Sequence, residues 1–457
     1  MAVAGCALLL VGFVAEENWR GARAWANYKS QQQANGTWVE EEKASAPAAE
    51  IPQVLQELFI RDNPGPPEGA LVIAYQRLDA QLPWSEVSFN WSSKNAKPMD
   101  LARFAQKFPN GDIVAGLNNS PLQMDEVAAS LRAVPLRFSV NNTTNGSAVS
   151  LNTFLVVSNA FVLRAEGELA QHRPDLAMAD VETNFRMEQD LLSDSTLTAK
   201  LVSVAIGQRA VQVIWDGLAA RQWTEEQLAV MQADLARVDI IATGQQGVRE
   251  EERRIIAVNE QMLAKANPII FTPVHHSSNA GIAKQHWDAL VADWLSAHYP
   301  RGWVYFNLIA SDEYFQKLQT AFDVANHRFD QRQQDAANHY QASLTTWLPY
   351  TFLAATTTRN LSGLFSEMAI NQQGMDEALV ACAIERFRLA NGKLPQNLAD
   401  LTPKYLAKIP HDVFDGSAMR YERQGDDQFT LTLTGSQNMK DGKDDEVWTY
   451  PASAKAN

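Results

Sequence analysis

Residues 1–15, "MAVAGCALLLVGFVA", carry no charge, and the chain then turns at once to "EENWRGARAWANYK". An apolar run closed by Trp19, Arg20, Arg23, Trp25, Tyr28 and Lys29 has the composition selected where a helix leaves a bilayer. The run falls short of the roughly 20 apolar residues of a spanning helix, and no basic segment precedes it as in a signal peptide. Both defects vanish if the run begins upstream of Met1. The expectation is an uncleaved anchor over 1–15 with an interfacial continuation, and Trp19, Arg20 and Trp25 as membrane-interface residues. Two other readings of the segment are a lipoprotein-type box at "VAGC", with Cys6 early in the run, and a buried helix.

Residues 30–65 hold "QQQANG", "EEEKASAPAAE" and "NPGPPEG", which are polar, rich in Pro and Gly and without period, so a linker is expected. Residues 66–147 are mixed: "DEVAASLRAV" has a helical pattern, "GALVIAYQRL" suits a strand or a helix start, and the rest is rich in turn formers. From 148 to 265 the period is helical. Pro174 suits a first helical turn, and Thr224 with Gln227 has capping-box spacing. Gly167 and Gly217 each stand seven positions before the next helix start, at Pro174 and Thr224. This loose repeat resembles tetratricopeptide-type hairpins; a plain bundle is the other reading. Two further helices are expected within 266–345, one of them running through "SDEYFQKLQTAFDVANHRFDQRQQDAANHY".

From 358 to 391 one long helix is expected, with Leu361, Phe365, Met368, Gln372, Met375, Leu379 and Cys382 on one stripe and Asn391-Gly392 as its stop. Pro395, Pro403 and Pro410 then bound short turns. In "QFTLTLTG" Phe429, Leu431 and Leu433 alternate with threonines, the period of a half-buried strand. "AMRYERQ" supplies its partner across Gly425-Asp426-Asp427, and "EVWTY" a third strand. The pattern predicts a long helix packed on a small antiparallel meander.

Composition narrows the classes. Hydrophobic residues are 46% and charged residues 20%, a globular balance. With 39 Lys and Arg against 53 Asp and Glu, the net charge of −14 argues against nucleic acid as a partner. Two cysteines, Cys6 and Cys382, exclude a disulfide scaffold or a structural zinc site as the organising principle. The chain has no P-loop and no dinucleotide-binding glycine fingerprint. His275 and His276, in "PVHHSSNAG" beside Ser277 and Ser278 and ahead of His286, are a candidate catalytic or metal loop, although no H-E-x-x-H pattern supports them.

The ending "AIERFRLANGKLP", "NLADLTPKYLAKIPHDVFDG", "MRYE" and the acidic loop "NMKDGKDDE" resembles the globular domain of type II secretion major pseudopilins over about 70 residues. The resemblance implies a calcium site in the acidic loop, with Asn438, Asp441, Asp444 and Asp445 as hard oxygen ligands; a solvated hairpin loop is the other reading. Assembly into a pilus needs a Gly-Phe processing site and an early Glu in the apolar helix. Here Glu16 and Glu17 follow the run, so a module is implied and not a polymerising subunit. Joined to "ENWRGARAW" near the start, the layout also resembles large membrane-anchored bacterial envelope proteins to which no activity is attached.

The expectation is therefore a mainly α protein: anchor and interfacial helix at 1–29, linker at 30–65, mixed region at 66–147, helical-hairpin body at 148–357 and pseudopilin-like α+β module at 358–451. Its expected place is the bacterial cell envelope, attached to the inner membrane, with the body extracytoplasmic. Its expected work is interaction or scaffolding with other envelope proteins, and enzymatic activity is the less favoured reading. The alternatives are a component of a type II secretion or pilus-like apparatus, and an envelope hydrolase using His275 and His276.

Overall fold

The structure, a computed structural model, describes residues 2–38, 52–62, 69–84, 98–134, 147–192, 196–264, 299–358, 361, 363–433, 435 and 446–449. The protein is mainly helical. In chain order the helices are α1 (Ala2–Asn35), α2 (Gln53–Phe59), α3 (Ala70–Gln81), α4 (Leu101–Ala105), α5 (Ile113–Asn118), α6 (Met124–Ala133), α7 (Leu151–Ala170) and α8 (Pro174–Leu192). They continue with α9 (Leu197–Ala219), α10 (Glu225–Leu235), α11 (Ile240–Ala264), α12 (Arg301–Gln319), α13 (Gln331–Ser343), α14 (Phe352–Thr358) and α15 (Leu364–Asn391). Strands β1 (Ile60–Asp62) and β2 (Ser147–Val149) form one antiparallel pair, and β3 (Phe322–Asp323) and β4 (Arg328–Phe329) a second. Strands β5 (Arg420–Gln424), β6 (Gln428–Leu433) and β7 (Glu446–Thr449) form a three-stranded antiparallel meander.

Two compact units result, and neither is a continuous stretch of chain. Unit 1 takes residues 1–44, 248–321 and 330–362; unit 2 takes 45–247, 322–329 and 363–457. The switch between the units at 362/363 lies close to the expected boundary at 358, whereas 66 and 148 fall inside unit 2.

Unit 2 is a layered helical body. The expected linker contains α2, whose Val54, Leu55, Leu58 and Phe59 are all buried. This short apolar face was hidden among Pro- and Gly-rich neighbours. Phe59 stacks on Phe154 of α7 at 3.9 Å between centroids, and α3, α5 and α6 pack on the same core. Helices α7, α8 and α9 pack on one another. Of these, α7 and α8 are pinned together by the Arg164 guanidinium, whose Nε and Nη2 donate to Asp180 at 2.8 and 2.7 Å. The loosely repeated spacing corresponds to two similar turns: α7 and α9 both end near a residue in the left-handed region, His172 and Arg221. What meets the glycines differs, since a methyl group at Gly167 would press on Val114 and one at Gly217 on the Trp223 ring. Thr224 and Gln227 form the expected capping box.

Helix α15 ends as expected, with Gly392 in the left-handed region accepting the chain reversal (φ +70°). Its burial exceeds the expected stripe. Gln373, Asp376, Glu377, Val380, Ala381 and Glu385 are buried as well as Phe365, Met368, Met375 and Cys382. The reason is packing on several sides: α9 and α10 as well as β6 and β7 lie against it. Arg386 of α15 reaches Glu225 and Gln232 of α10. Phe429, Leu431 and Leu433 point inward from β6, as the period of two requires. The turn before β5 is organised by buried Asp412. Its Oδ1 accepts from the backbone N–H of Phe414 at 2.8 Å, and its Oδ2 from that of Gly435 at 2.7 Å.

Unit 1 is built on α1, the later part of α11, α12, α13 and α14. The helix expected through 311–340 is broken. It stops at Gln319, the chain makes the β3–β4 hairpin, and α13 starts afresh. Two aspartates cause the break. Asp323 accepts from the Asn326 N–H to close the hairpin turn, and Asp330 caps α13 by accepting from Arg332 N at 2.9 Å. The expected anchor is the beginning of α1, which runs on past the interfacial segment to Asn35. Its apolar residues end at Glu16 and Glu17, and the helix continues with polar turns. Among the described residues no helix is long and apolar enough to cross a membrane.

Candidate functional site

The features of α1 split along its length. In its second half, Glu17, Asn18, Gly21, Trp25 and Tyr28 recur at spacings of one, three, four and three, which places them on one helical face. That face docks within unit 1. A methyl group at Gly21 would collide with the backbone of Gly302 at the start of α12, and one at Gly302 with the Glu17 carbonyl. Two glycines thus let the backbones of α1 and α12 touch. Polar contacts flank this crossing. The Gly302 N–H donates to Asn18 Oδ1 at 2.8 Å, and Trp303 Nε1 donates to Glu17 Oε2 at 2.8 Å. Farther along, Trp25 Nε1 and Lys29 Nζ both donate to Glu260 Oε1 of α11, at 2.8 and 2.9 Å.

Tyr28 completes the face by donating to Asp312 Oδ2 at 2.8 Å. Asp312 also accepts from Gln316 at 2.7 Å and is paired with Glu252 of α11. Burial, and then the hydrogen bond and charge of Asp312, push the Glu252 carboxyl up to about 9. Burial also raises Asp312, against the hydrogen bonds from Glu252 and Tyr28 that hold it down. Near neutral pH Glu252 therefore keeps its proton and donates it to Asp312. Such a pair shares one proton because two adjacent buried carboxylates cannot both ionise.

The first half of α1 is different. Leu8, Leu9, Leu10 and Val11 are 74%, 77%, 62% and 66% exposed. Four consecutive residues at about 100° each cover the whole helix circumference. The expected interface residues all lie in the second half and differ in exposure. Trp19 is exposed with Arg23 over its ring at 5.4 Å, and Arg20 pairs with Glu17 and lies over Phe306 at 5.9 Å. Trp25 is a correction: it is buried, stacked with Tyr28 and tied to Glu260, because it belongs to the docking face.

A second cluster lies in unit 2. His327 of the β3–β4 hairpin, in the left-handed region, has Nδ1 3.5 Å from Asp239 Oδ1 and Nε2 4.0 Å from Asp376 Oδ2. The Asp239 hydrogen bond raises the imidazole, and burial lifts Asp376 to about 7. The imidazole lies between two carboxyl groups and links the hairpin to the start of α11 and to α15. A third group is interior. Glu188 of α8 is fully buried, and neither oxygen has a hydrogen-bond partner among the described residues. Burial, with the nearby Asp234 charge, pushes it up to about 8, so it stays neutral.

Asn438, Asp441, Asp444 and Asp445, and the His275, His276, Ser277, Ser278 and His286 group, lie outside the described residues. Among the described residues no group of three or more His, Cys, Asp or Glu side chains could hold a metal ion. Cys382 is buried, as its place on the stripe implies. The residues missed in the sequence are Gly21, Glu252, Gly302 and Asp312, while Tyr28 was read only as part of the interfacial segment. The legible part of the signal was the face made by Glu17, Asn18, Gly21, Trp25 and Tyr28; its partners on α11 and α12 lie more than 200 residues away.

Comparison with known proteins finds no matching family model, no matching curated protein and no matching solved structure.

Proposed function

We propose that this protein is a membrane-attached envelope protein that works by binding other proteins, with the apolar end of α1 as its attachment. One observation carries the attachment: the all-round exposure of Leu8, Leu9, Leu10 and Val11. A helix that seats in a protein groove needs an apolar stripe only on the side it buries. A helix that is apolar all round suits a lipid environment. Residues 2–15 rise about 20 Å at 1.5 Å each, less than the roughly 30 Å hydrocarbon core, so the reading is insertion of this end and not a crossing by these residues alone. The docking of the second half of α1 supports it, because an inserted end pulls on a helix that glycine-to-glycine contact and five polar side chains hold to unit 1. The packed helices of unit 2 and the meander beside α15 support an interaction role.

Flotation of the full chain with phosphatidylcholine–phosphatidylglycerol vesicles tests the attachment. The protein is expected to float, and a variant with Leu8, Leu9, Leu10 and Val11 replaced by Ser is expected to remain at the bottom of the gradient. Wild-type protein left at the bottom would remove the reading.

A further inference from the structure

We propose that the loop 344–351 of unit 1 is a second lipid-contacting element, which sets Trp347 and Leu348 into the headgroup layer beside the apolar end of α1. This rests on the membrane reading above. Trp347 is 92% exposed and Leu348 is 52% exposed. A large aromatic side chain left in water forgoes the burial that stabilises it elsewhere, and indole, with an apolar body and one N–H donor, favours the membrane–water interface.

Trp347 does not stand on a loose tether. Thr351 Oγ1 donates to the Thr345 carbonyl at 2.8 Å and closes the loop, and the Trp347 N–H donates to Thr345 Oγ1 at 3.1 Å. The loop is then stapled to α12. Asn307 Nδ2 donates to the Pro349 carbonyl at 2.8 Å, the Tyr299 hydroxyl donates to the same carbonyl, and Asn307 Oδ1 accepts from the Ala354 N–H at 3.1 Å.

Its height along α1 follows from a chain of rings. Tyr350 meets Trp303 edge-on at 5.7 Å and Phe306 at 5.4 Å. Trp303 in turn meets Phe13 at 6.2 Å. Phe13 is the last aromatic residue before Glu16 and Glu17. The loop is therefore continuous, through packed aromatics, with the point where the apolar run meets charge. Arg20, paired with Glu17, lies over Phe306. The continuity with the exposed helix end favours lipid over a protein occupant.

The test places an environment-sensitive nitrobenzoxadiazole label on Trp347→Cys in a Cys6→Ser background; Cys382 is buried and does not compete for the label. A second variant, Gln33→Cys, carries the label 20 residues beyond Phe13, about 30 Å along α1. With the same vesicles, the label at 347 is expected to shift to the blue and brighten while that at 33 does not change. Trp347→Ser should weaken vesicle affinity about tenfold, the scale of burying one large apolar side chain. Flotation without a response at 347 overturns this inference and leaves the attachment standing. An equal response at 33 means general adsorption and overturns it, as does a blue shift that needs only higher protein concentration, which would mark a second copy as occupant. Absence of flotation overturns both readings.

Discussion

Glu252 shows how a single carboxyl can be read for stability. The folded protein holds a proton at this group up to about pH 9, while the unfolded chain releases it near the ordinary glutamate value of 4.5. The folded state thus binds more protons across that window, and stability falls as pH rises from about 4.5 towards 9. Glu252→Gln keeps a donor towards Asp312 and removes the titration. Its melting temperature should fall less steeply than the wild type between pH 5 and 9, with the variant gaining most at the alkaline end. Parallel slopes in differential scanning calorimetry would show that the pair does not share a proton. Glu188 and His327 bias stability in the same direction, since one is an acid raised by burial and the other a base raised by Asp239. The variant is therefore expected to reduce the slope and not abolish it.

Helices are held at their crossings, and the α1–α12 crossing is the most exacting. Gly21 and Gly302 face one another with no room for a methyl group on either. Gly302→Ala should separate the two backbones, break the Asn18 and Trp303 contacts and destabilise unit 1 by about 1–3 kcal/mol, the usual scale of overpacking. Thermal unfolding followed by circular dichroism measures this, and Gly12→Ala, where nothing approaches within 4 Å, is the matched control expected to be neutral or slightly stabilising. Equal melting temperatures for the two variants would contradict the close crossing. The long α15 makes the complementary point. One stripe was legible from its spacing, yet packing on α9, α10 and the meander buries polar positions such as Gln373 and Asp376 that no single-face pattern can mark.

For the whole molecule, the discontinuity of the units decides what can be cut. The pseudopilin-like ending reads in sequence as a detachable module, but α15 is buried among helices of the same unit that come from residues 197–235. Residues 358–451 expressed alone are expected to expose that surface and to lack cooperative unfolding. A chain ending at residue 357 should lose the packing of α9 and α10. Circular dichroism and denaturant titration of the two fragments check this; a sharp transition from the isolated ending would restore it as an independent domain.

The sequence alone determined what depends on neighbours in the chain. Its helical periods, the Thr224–Gln227 capping box, the Gly392 stop, the alternating Phe429, Leu431 and Leu433 and the order of strands in the meander all follow from spacings of two to four residues. Breaks set by short side chains were harder to see, and Asp323 and Asp330 ended a helix whose apolar period continued through them. Tertiary structure decided which face met what. "ENWRGARAW" looked interfacial because tryptophan and arginine suit both a membrane rim and a buried crossing. Only the approach of Gly302, Glu260 and Asp312 assigned Trp25 to the interior and left Trp19 outside. The Glu252–Asp312 pair was equally invisible, since its proton is held by burial and by a partner 60 residues away, and neither is encoded by local spacing.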